Sequence, residues 1–388
     1  PRRERGIPWA EHGRRAGRCH REFNYGDAPD CRCHRWGRST VSQRHALSGA
    51  GSARGPALGA GYVASSGRTD VGAAGHPYLI APTVKPVINR SRKKLYRILK
   101  NFRFLPVSML LKFRHGAYTG KKLNLENPVE INEKKNWLKL YYHPPILTQL
   151  ADKYPVRSYV SEKIGPAYLN ELYGIYRRVE EIDFEALPDQ FIIKATHGCR
   201  KSLIIRDKTN LDIAGTTKLI RKWMKYNHYK SVGFEWAYKN IKPGIVVEKL
   251  LVEAGKKFLT DYKFVCMNGK CVYTQVIMDW NGKEVQGNFN KEFELQEFNT
   301  RNREPFSGLM EKPALFSKMW DLAEILAGQF PLVRADFYLL DQRIIFGEMT
   351  FYPGDGKYDF YPDEYNKIIG DYLKLPILEK GRKEIVVY

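Results

Sequence analysis

The chain has 388 residues, is 43% hydrophobic and carries a formal net charge of +22. This length and hydrophobic fraction permit a core of two or three domains, and they exclude a wholly disordered, collagen-like, coiled-coil or disulfide-scaffold protein. The longest apolar run is far shorter than the roughly 18 residues that a membrane-spanning helix requires.

The positive charge is distributed unevenly along the chain. Residues 1–80 contain 13 Arg, no Lys and 6 acidic residues, a net charge of +7, and the remaining residues carry +15. Because residues 1–84 are rich in Arg, Gly and Ala and lack hydrophobic periodicity, we expect a disordered or non-native extension there. No helix-turn-helix, aromatic RNA-binding strand or zinc-finger pattern accompanies the charge, so no nucleic-acid partner is expected.

The six cysteines are too few and too scattered for a disulfide framework. Cys19, Cys31 and Cys33 match no common zinc-finger spacing. We expect the other three, Cys199, Cys266 and Cys271, to be reduced thiols of a cytoplasmic protein, since no signal-peptide pattern opens the chain.

Residues 85–145 are predicted to form a basic helical segment ahead of the main domain. The stretch from Asn89 to Arg114 predicts an amphipathic basic helix that is broken near Pro106. Its apolar residues recur at helical spacing: Leu95, Ile98, Leu99 and Phe102. Two interpretations remain, a solvated basic face or peripheral docking on an anionic membrane surface at the inner face of the membrane.

The following residues alternate between helical patterns and short strands. Helices are predicted over Val129–Leu140, Pro144–Lys163, Leu211–Tyr229 and Leu315–Leu326, and strands over Phe191–Thr196, Ser202–Ile205 and Gly244–Val252. Two hairpins follow from the pattern, Asp261–Met267 with Lys270–Met278 and Val333–Leu340 with Ile344–Phe351. This order predicts an α+β fold with antiparallel sheets, a catalytic region over residues 146–376 and a tail over residues 377–388.

The second hairpin carries the most informative polar residues. Arg334 and Asp336 share one face of its first strand, and Glu348 and Thr350 share one face of its second. A three-residue loop or a β-bulge would place Asp336 opposite Glu348, whereas a regular two-residue turn would not. Because facing carboxylates repel unless a cation lies between them, the pattern favours a Mg²⁺ site over a solvent-facing hairpin with incidental acids.

Two further strands carry weaker signals for nucleotide binding. Lys194 ends an apolar strand just before His197 and Gly198, an arrangement that can hold phosphate through the ammonium and backbone N–H groups. Glu248 lies on a strand that could present backbone groups to a purine. Each pattern is unspecific when taken alone.

Taken together and in this order, these segments resemble the ATP-grasp superfamily and, most closely, its TupA-like branch, named for teichuronopeptide biosynthesis. The resemblance extends over roughly residues 110–376, and many members of the branch are labelled glycosyltransferases or polysaccharide-biosynthesis proteins. The matching pieces are Asn127–Leu140, Ala151–Val160, Asp183–Gly198, Asp261–Phe264, Val333–Tyr338 and Phe346–Pro353. The resemblance implies an ATP-grasp fold, in which two antiparallel-sheet lobes with helices grip the nucleotide.

The resemblance also implies residue roles. For nucleotide binding, it implies that Lys153 and Lys194 are phosphate ligands, that His197, Gly198 and Arg200 lie in the phosphate loop, and that Glu248 and Lys249 contact the adenine and ribose. The metal ligands implied are Asp336, Glu348 and Thr350, with Arg334 stabilising the transferred phosphoryl group and Asp261 and Lys263 lining the acceptor pocket. For His197 a structural hydrogen bond, and for Asp261 and Lys263 a surface ion pair, remain alternatives.

Two positions depart from the superfamily pattern. Thr350 replaces an Asn, although a hydroxyl oxygen can still reach a metal or its water, and the TupA-like branch resembles this sequence there. Arg200 stands where a small residue is expected, so it either contacts the γ-phosphate or weakens nucleotide binding.

The resemblance implies an ATP- and Mg²⁺-dependent carboxylate–amine ligase that acts through an acyl phosphate. The expected partners are an anionic glycan or lipid-linked glycan precursor and an amino-acid or amine co-substrate, as in cell-surface polysaccharide modification. The alternatives are a glycosyltransferase that uses a nucleotide sugar and a non-catalytic ATP-grasp protein.

Overall fold

The computed structural model describes residues 89–102, 104–300 and 303–387. The chain divides into two units, Pro1–Gly75 and His76–Tyr388, and all described residues belong to the second. The expectations for residues 1–84 and for Cys19, Cys31 and Cys33 therefore lie outside the described residues. No helix within the described ranges is long and apolar enough to cross a bilayer.

The described residues form nine α-helices. These are α1 (Arg90–Leu99), α2 (Val107–Thr119), α3 (Ile131–Tyr141), α4 (Ile146–Ala151), α5 (Val156–Lys163), α6 (Ile213–Met224), α7 (His228–Ser231), α8 (Phe316–Ala327) and α9 (Tyr365–Tyr372). The predicted break near Pro106 is confirmed, because α2 begins directly after this residue. The predicted helix over Pro144–Lys163 is instead two helices, and Pro155 precedes the first residue of the second.

Twelve strands lie in the same part of the chain. These are β1 (Leu172–Tyr176), β2 (Phe191–Ala195), β3 (Ser202–Ile205), β4 (Ile245–Lys249), β5 (Asp261–Met267), β6 (Lys270–Trp280), β7 (Lys283–Phe289), β8 (Asn299–Thr300), β9 (Glu304–Pro305), β10 (Leu332–Leu340), β11 (Arg343–Thr350) and β12 (Phe360–Tyr361). One sheet has the order β1-β4-β2-β3, a second β11-β10-β5-β6-β7-β9, and a third pairs β12 with β8. All pairs are antiparallel except β7 with β9, so the predicted α+β class with antiparallel hairpins is confirmed.

Each of the two main sheets packs against a helix of its own. In the four-stranded sheet, Phe191 and Ile245 pack with Ile220 and Trp223 of α6. In the six-stranded sheet, Phe264 of β5 lies under α8, with its ring centroid 5.6 Å from that of Phe316. The fold therefore has two sheet-and-helix lobes.

The first predicted hairpin is confirmed, with its turn at Asn268-Gly269, where φ is 49° and 83°. This turn places Cys266 directly opposite Cys271. The structure joins the two sulfur atoms as a disulfide, with the Cα atoms 3.9 Å apart. The expectation of free thiols at these two positions is therefore wrong, because the hairpin register brings them face to face, while Cys199 is a free thiol.

Phe264 offers a test of the larger core, because it is fully buried and its ring also contacts Trp320 and Phe337. We expect Phe264→Ala to lower the free energy of unfolding by about 3–5 kcal/mol in urea denaturation, since it leaves a cavity. Phe104→Ala is the matched control, because that side chain is 78% exposed, and it should change stability by less than about 0.5 kcal/mol. Equal effects of the two substitutions would contradict this view of the core.

Candidate functional site

The hairpin of β10 and β11 contains a β-bulge at the position that the sequence analysis singled out. Ala335 pairs with Met349 and Phe337 pairs with Phe346, so two residues of β11, Gly347 and Glu348, lie opposite Asp336 alone. The turn itself has only two residues. The bulge alternative is therefore confirmed and the three-residue loop is wrong.

The bulge brings two carboxylates onto one guanidinium. Arg334 donates from Nε to Asp336 Oδ1 over 2.6 Å and from Nη2 to Asp336 Oδ2 over 2.7 Å. The same Nη2 lies 3.2 Å from Glu348 Oε1 and 3.1 Å from Thr350 Oγ1. Asp336 is 1% exposed, and a carboxylate so deeply buried requires such charged partners. The predicted metal ligands thus lie together around Arg334.

The neighbouring strand β5 supplies a second cation and a third carboxylate. Lys263 donates to Asp336 Oδ2 over 2.7 Å and also forms an ion pair with Asp261. Burial opposes the charge of Lys263, but the carboxylates of Asp261 and Asp336 raise its pKa above the usual range. Burial and the charge of Asp336 raise the pKa of Asp261. Asp261 and Lys263, predicted for the acceptor pocket, therefore lie beside the predicted metal ligands, with Lys263 buried and Asp261 half-buried.

Lys153 connects this hairpin with the loop that follows β2. Its ammonium donates to the carbonyl oxygen of Gly198 over 3.0 Å and lies 3.5 Å from Glu348 Oε2. Burial opposes ionisation of Glu348, but Lys153 and Arg334 lower the pKa of this carboxyl to about 2. Glu348 is thus an anion at neutral pH, and Lys153 holds the predicted phosphate loop against it.

A second charged group lies on the four-stranded sheet. Lys194 of β2 donates to Glu248 Oε2 of β4 over 2.8 Å, and Arg157 of α5 donates to Glu248 Oε1 over 3.2 Å. Lys194 and Glu248, predicted for the nucleotide, thus contact each other directly. Arg157 escaped the sequence analysis because a single Arg on a predicted helix gives no signal of a partner 91 residues away.

Three other residues predicted for the nucleotide lie apart from these contacts. His197 is buried and forms a hydrogen bond with the carbonyl oxygen of Trp223 over 2.9 Å. Arg200 is exposed with φ of 58°. Lys249 is exposed and lies 3.5 Å from Glu171. The structure therefore does not bring these side chains to Asp336 and Glu348.

The oxygen donors on the hairpin fit Mg²⁺. Asp336 and Glu348 provide carboxylates and Thr350 provides a hydroxyl within 3.2 Å of Glu348 Oε1. No group of three or more His, Cys, Asp or Glu side chains in the described ranges is arranged to hold a metal ion by itself. Mg²⁺ commonly binds through one or two carboxylates together with substrate phosphates, so this donor set suits it.

A buried charged cluster that the sequence analysis missed supports the end of the hairpin. Asp355 lies in the turn Pro353–Gly356 after β11. Its Oδ1 accepts a hydrogen bond from Nζ of Lys139 on α3 over 2.5 Å, and its carboxylate forms an ion pair with Arg114 of α2. Burial opposes ionisation of Asp355, but Arg114 and Lys139 lower the pKa of this carboxyl to about 2. The cluster fixes α2 and α3 against the turn that follows the carboxylate pair.

Lys135 on α3 adds a further buried amine and is 6% exposed. Burial, followed by the charge of Lys139, lowers its pKa to about 7. Below pH 7 this buried amine therefore destabilises the folded state. The destabilisation decreases as the pH rises from 7 toward 10.5, the pKa of lysine in the unfolded chain.

We expect Lys135→Met to increase the free energy of unfolding by about 2 kcal/mol or more at pH 6.5 and by less than about 1 kcal/mol at pH 10. Urea denaturation of both proteins at the two pH values measures the difference. Lys122→Met, at an exposed lysine, controls for the loss of one positive charge. A gain independent of pH would show that removal of the buried amine is not its cause.

Among solved structures, the chain is similar to D-alanine–D-alanine ligase from Helicobacter pylori (14% identity, TM-score 0.36, covering 64% of this chain and 67% of that one). It is also similar to that ligase from Bacillus anthracis complexed with ATP (14%, 0.32, 57% and 56%). A third is the ATP-grasp ligase PsnB complexed with minimal precursor, Mg and ADP (12%, 0.33, 62% and 64%). The chain thus spans little more than half the length of the Bacillus anthracis ligase.

No curated protein matches the sequence. Residues 133–374, more than half of the chain, match the family model described as TupA-like ATPgrasp. This range contains every strand of both main sheets and all the predicted site residues. The predicted ATP-grasp fold is thereby confirmed. The chain belongs to the TupA-like ATP-grasp family.

Proposed function

We propose that this protein is an ATP- and Mg²⁺-dependent carboxylate–amine ligase that acts through an acyl phosphate. The observation that carries the proposal is the carboxylate pair of Asp336 and Glu348, which Arg334 holds on one face of the bulged hairpin. Lys153 connects this pair to the loop at Gly198. Cations and carboxylates so arranged suit a phosphoryl group in transfer, whose chemistry depends on positioning and charge stabilisation.

Asp336, Glu348 and Thr350 would hold Mg²⁺, which neutralises charge on the phosphate oxygens of ATP when it is bound. Lys153 and Lys194 carry the ammonium groups suited to the phosphates. Lys194 contacts Glu248 over 2.8 Å, and a nucleotide phosphate would compete with that carboxylate for the ammonium because both are anions.

The proposed reaction has two steps. A carboxylate oxygen of the substrate attacks the γ-phosphorus of ATP, and the bond to ADP breaks. The amine nitrogen then attacks the acyl carbon, phosphate leaves with the bonding electron pair, and the nitrogen loses a proton to give the amide. Arg334 and Lys263 would oppose the negative charge of the phosphoryl oxygens, a role supported by the hydrogen bonds that both donate to the carboxyl group of Asp336.

The substrate that we propose is a uronic acid or amino acid on a cell-surface polysaccharide or its lipid-linked precursor, with an amino acid or another amine as co-substrate. The family membership and the net charge of +15 beyond residue 80 support an anionic glycan, because a positive surface raises the local concentration of a polyanion.

The test measures ADP formation from Mg²⁺·ATP with uronic-acid oligosaccharides and an amino-acid mixture as acceptors. We expect activity to require Mg²⁺ and both acceptors, and Asp336→Asn and Glu348→Gln each to lower it at least about 100-fold. Glu348→Gln is the more informative variant. Asp336 is fully buried with two cations, so its substitution also destabilises the folded state.

Asp341→Asn is the matched control, since it makes the same chemical change in the turn of the same hairpin, where φ is 49° and Asn is favoured. Circular dichroism checks the fold of each variant. Thermal stabilisation by UDP-sugar·Mg²⁺ but not by ATP·Mg²⁺ would overturn the proposal and support a glycosyltransferase. Stabilisation by neither would also contradict the proposal.

A further inference from the structure

An exposed apolar patch lies on α1 and on the segment that connects it to α2. We call it the α1 patch, and it consists of four side chains: Leu95 (45% exposed), Ile98 (53%), Phe102 (44%) and Phe104 (78%). Leu95 and Ile98 are three residues apart on α1, Phe102 follows the end of that helix, and the ring centroids of Phe102 and Phe104 are 5.6 Å apart. Contiguous exposed apolar side chains of this size mark interaction sites.

The other side of α1 is fixed to the body of the protein, so the patch faces outward. Tyr96 is 4% exposed, and its hydroxyl donates to the carbonyl oxygen of Val232 over 3.3 Å. Lys100 donates to the carbonyl oxygen of Ser231 over 3.0 Å. With these two contacts made, the apolar side chains of the patch stay on the outer side of the helix.

The charge around the patch has one sign. Residues 89–125 contain no Asp or Glu, and the exposed charged residues of the two helices are Arg90, Arg92, Lys94 and Arg97 on α1 and Lys112 on α2. A second copy of the chain would bring the same cations together, which is unfavourable. An anionic bilayer instead offers negative headgroups to the cations and an apolar interior to the aromatic rings.

We propose that the α1 patch docks this protein on a bilayer that contains anionic lipid. Phe102 and Phe104 enter the boundary between headgroups and acyl chains, and the cations of α1 bind the headgroups. This surface is separate from the carboxylate hairpin, and the proposal stands without the proposed ligase activity.

The test uses the full chain and sedimentation with large vesicles of phosphatidylcholine, with or without about 30 mol% phosphatidylglycerol. We expect binding to the anionic vesicles and much weaker binding to the neutral ones. The double variant Phe102→Ser/Phe104→Ser should lower the partition coefficient at least about tenfold, because it removes both aromatic anchors. Leu309→Ser is the matched control, since Leu309 is 94% exposed outside the patch, and it should bind like the parent.

The test needs variants of the apolar side chains, because a chain with a net charge of +22 binds anionic surfaces through charge alone. Equal binding of the double variant and the parent, or no binding at all, would overturn the proposal. A dimer in light scattering that the same substitutions abolish, without vesicle binding, would instead identify a second copy as the occupant. ADP formation in vesicle-free buffer should be unchanged in the double variant, which separates this result from the ligase test.

Discussion

The arrangement of the site depends on one guanidinium that binds two carboxylates. Arg334 donates hydrogen bonds to the carboxylates of Asp336 and Glu348, which would otherwise repel each other across adjacent strands. The bulge in β11 brings Glu348 to this cation, and the pairing of β10 with β5 places Lys263 opposite Asp336, where it donates to Oδ2. The three carboxylates of Asp261, Asp336 and Glu348 are thus paired with three cations: Arg334, Lys263 and Lys153.

The hairpin and its pair of acids could be predicted from the sequence, because alternation along a strand has a period of two and few registers join Asp336 to Glu348. The choice between a bulge and a longer loop could not, since it depends on the turn dihedrals and Gln342 takes φ of 59°, which is uncommon for this residue. The disulfide was missed although the predicted turn already set Cys266 opposite Cys271.

Contacts over long sequence separations escaped prediction altogether. Arg114 and Asp355 are 241 residues apart, and no periodic pattern relates two such positions. Lys153 was predicted for phosphate, but its simultaneous approach to Gly198 and Glu348 follows only from the packing of two lobes with separate cores. Lys153 therefore links the loop after β2 in one lobe to Glu348 of the hairpin in the other.

The buried ion pairs of Asp355 have a consequence for how the chain can be divided. The family match begins within α3, yet Arg114, on the preceding helix, neutralises a carboxylate at the far end of the matched range. A truncated chain beginning at residue 146 would lack Arg114 and Lys139, the two cations that hydrogen-bond to the carboxylate of Asp355. The matched range 133–374 keeps Lys139 but lacks Arg114, so it contains only one of these two cations.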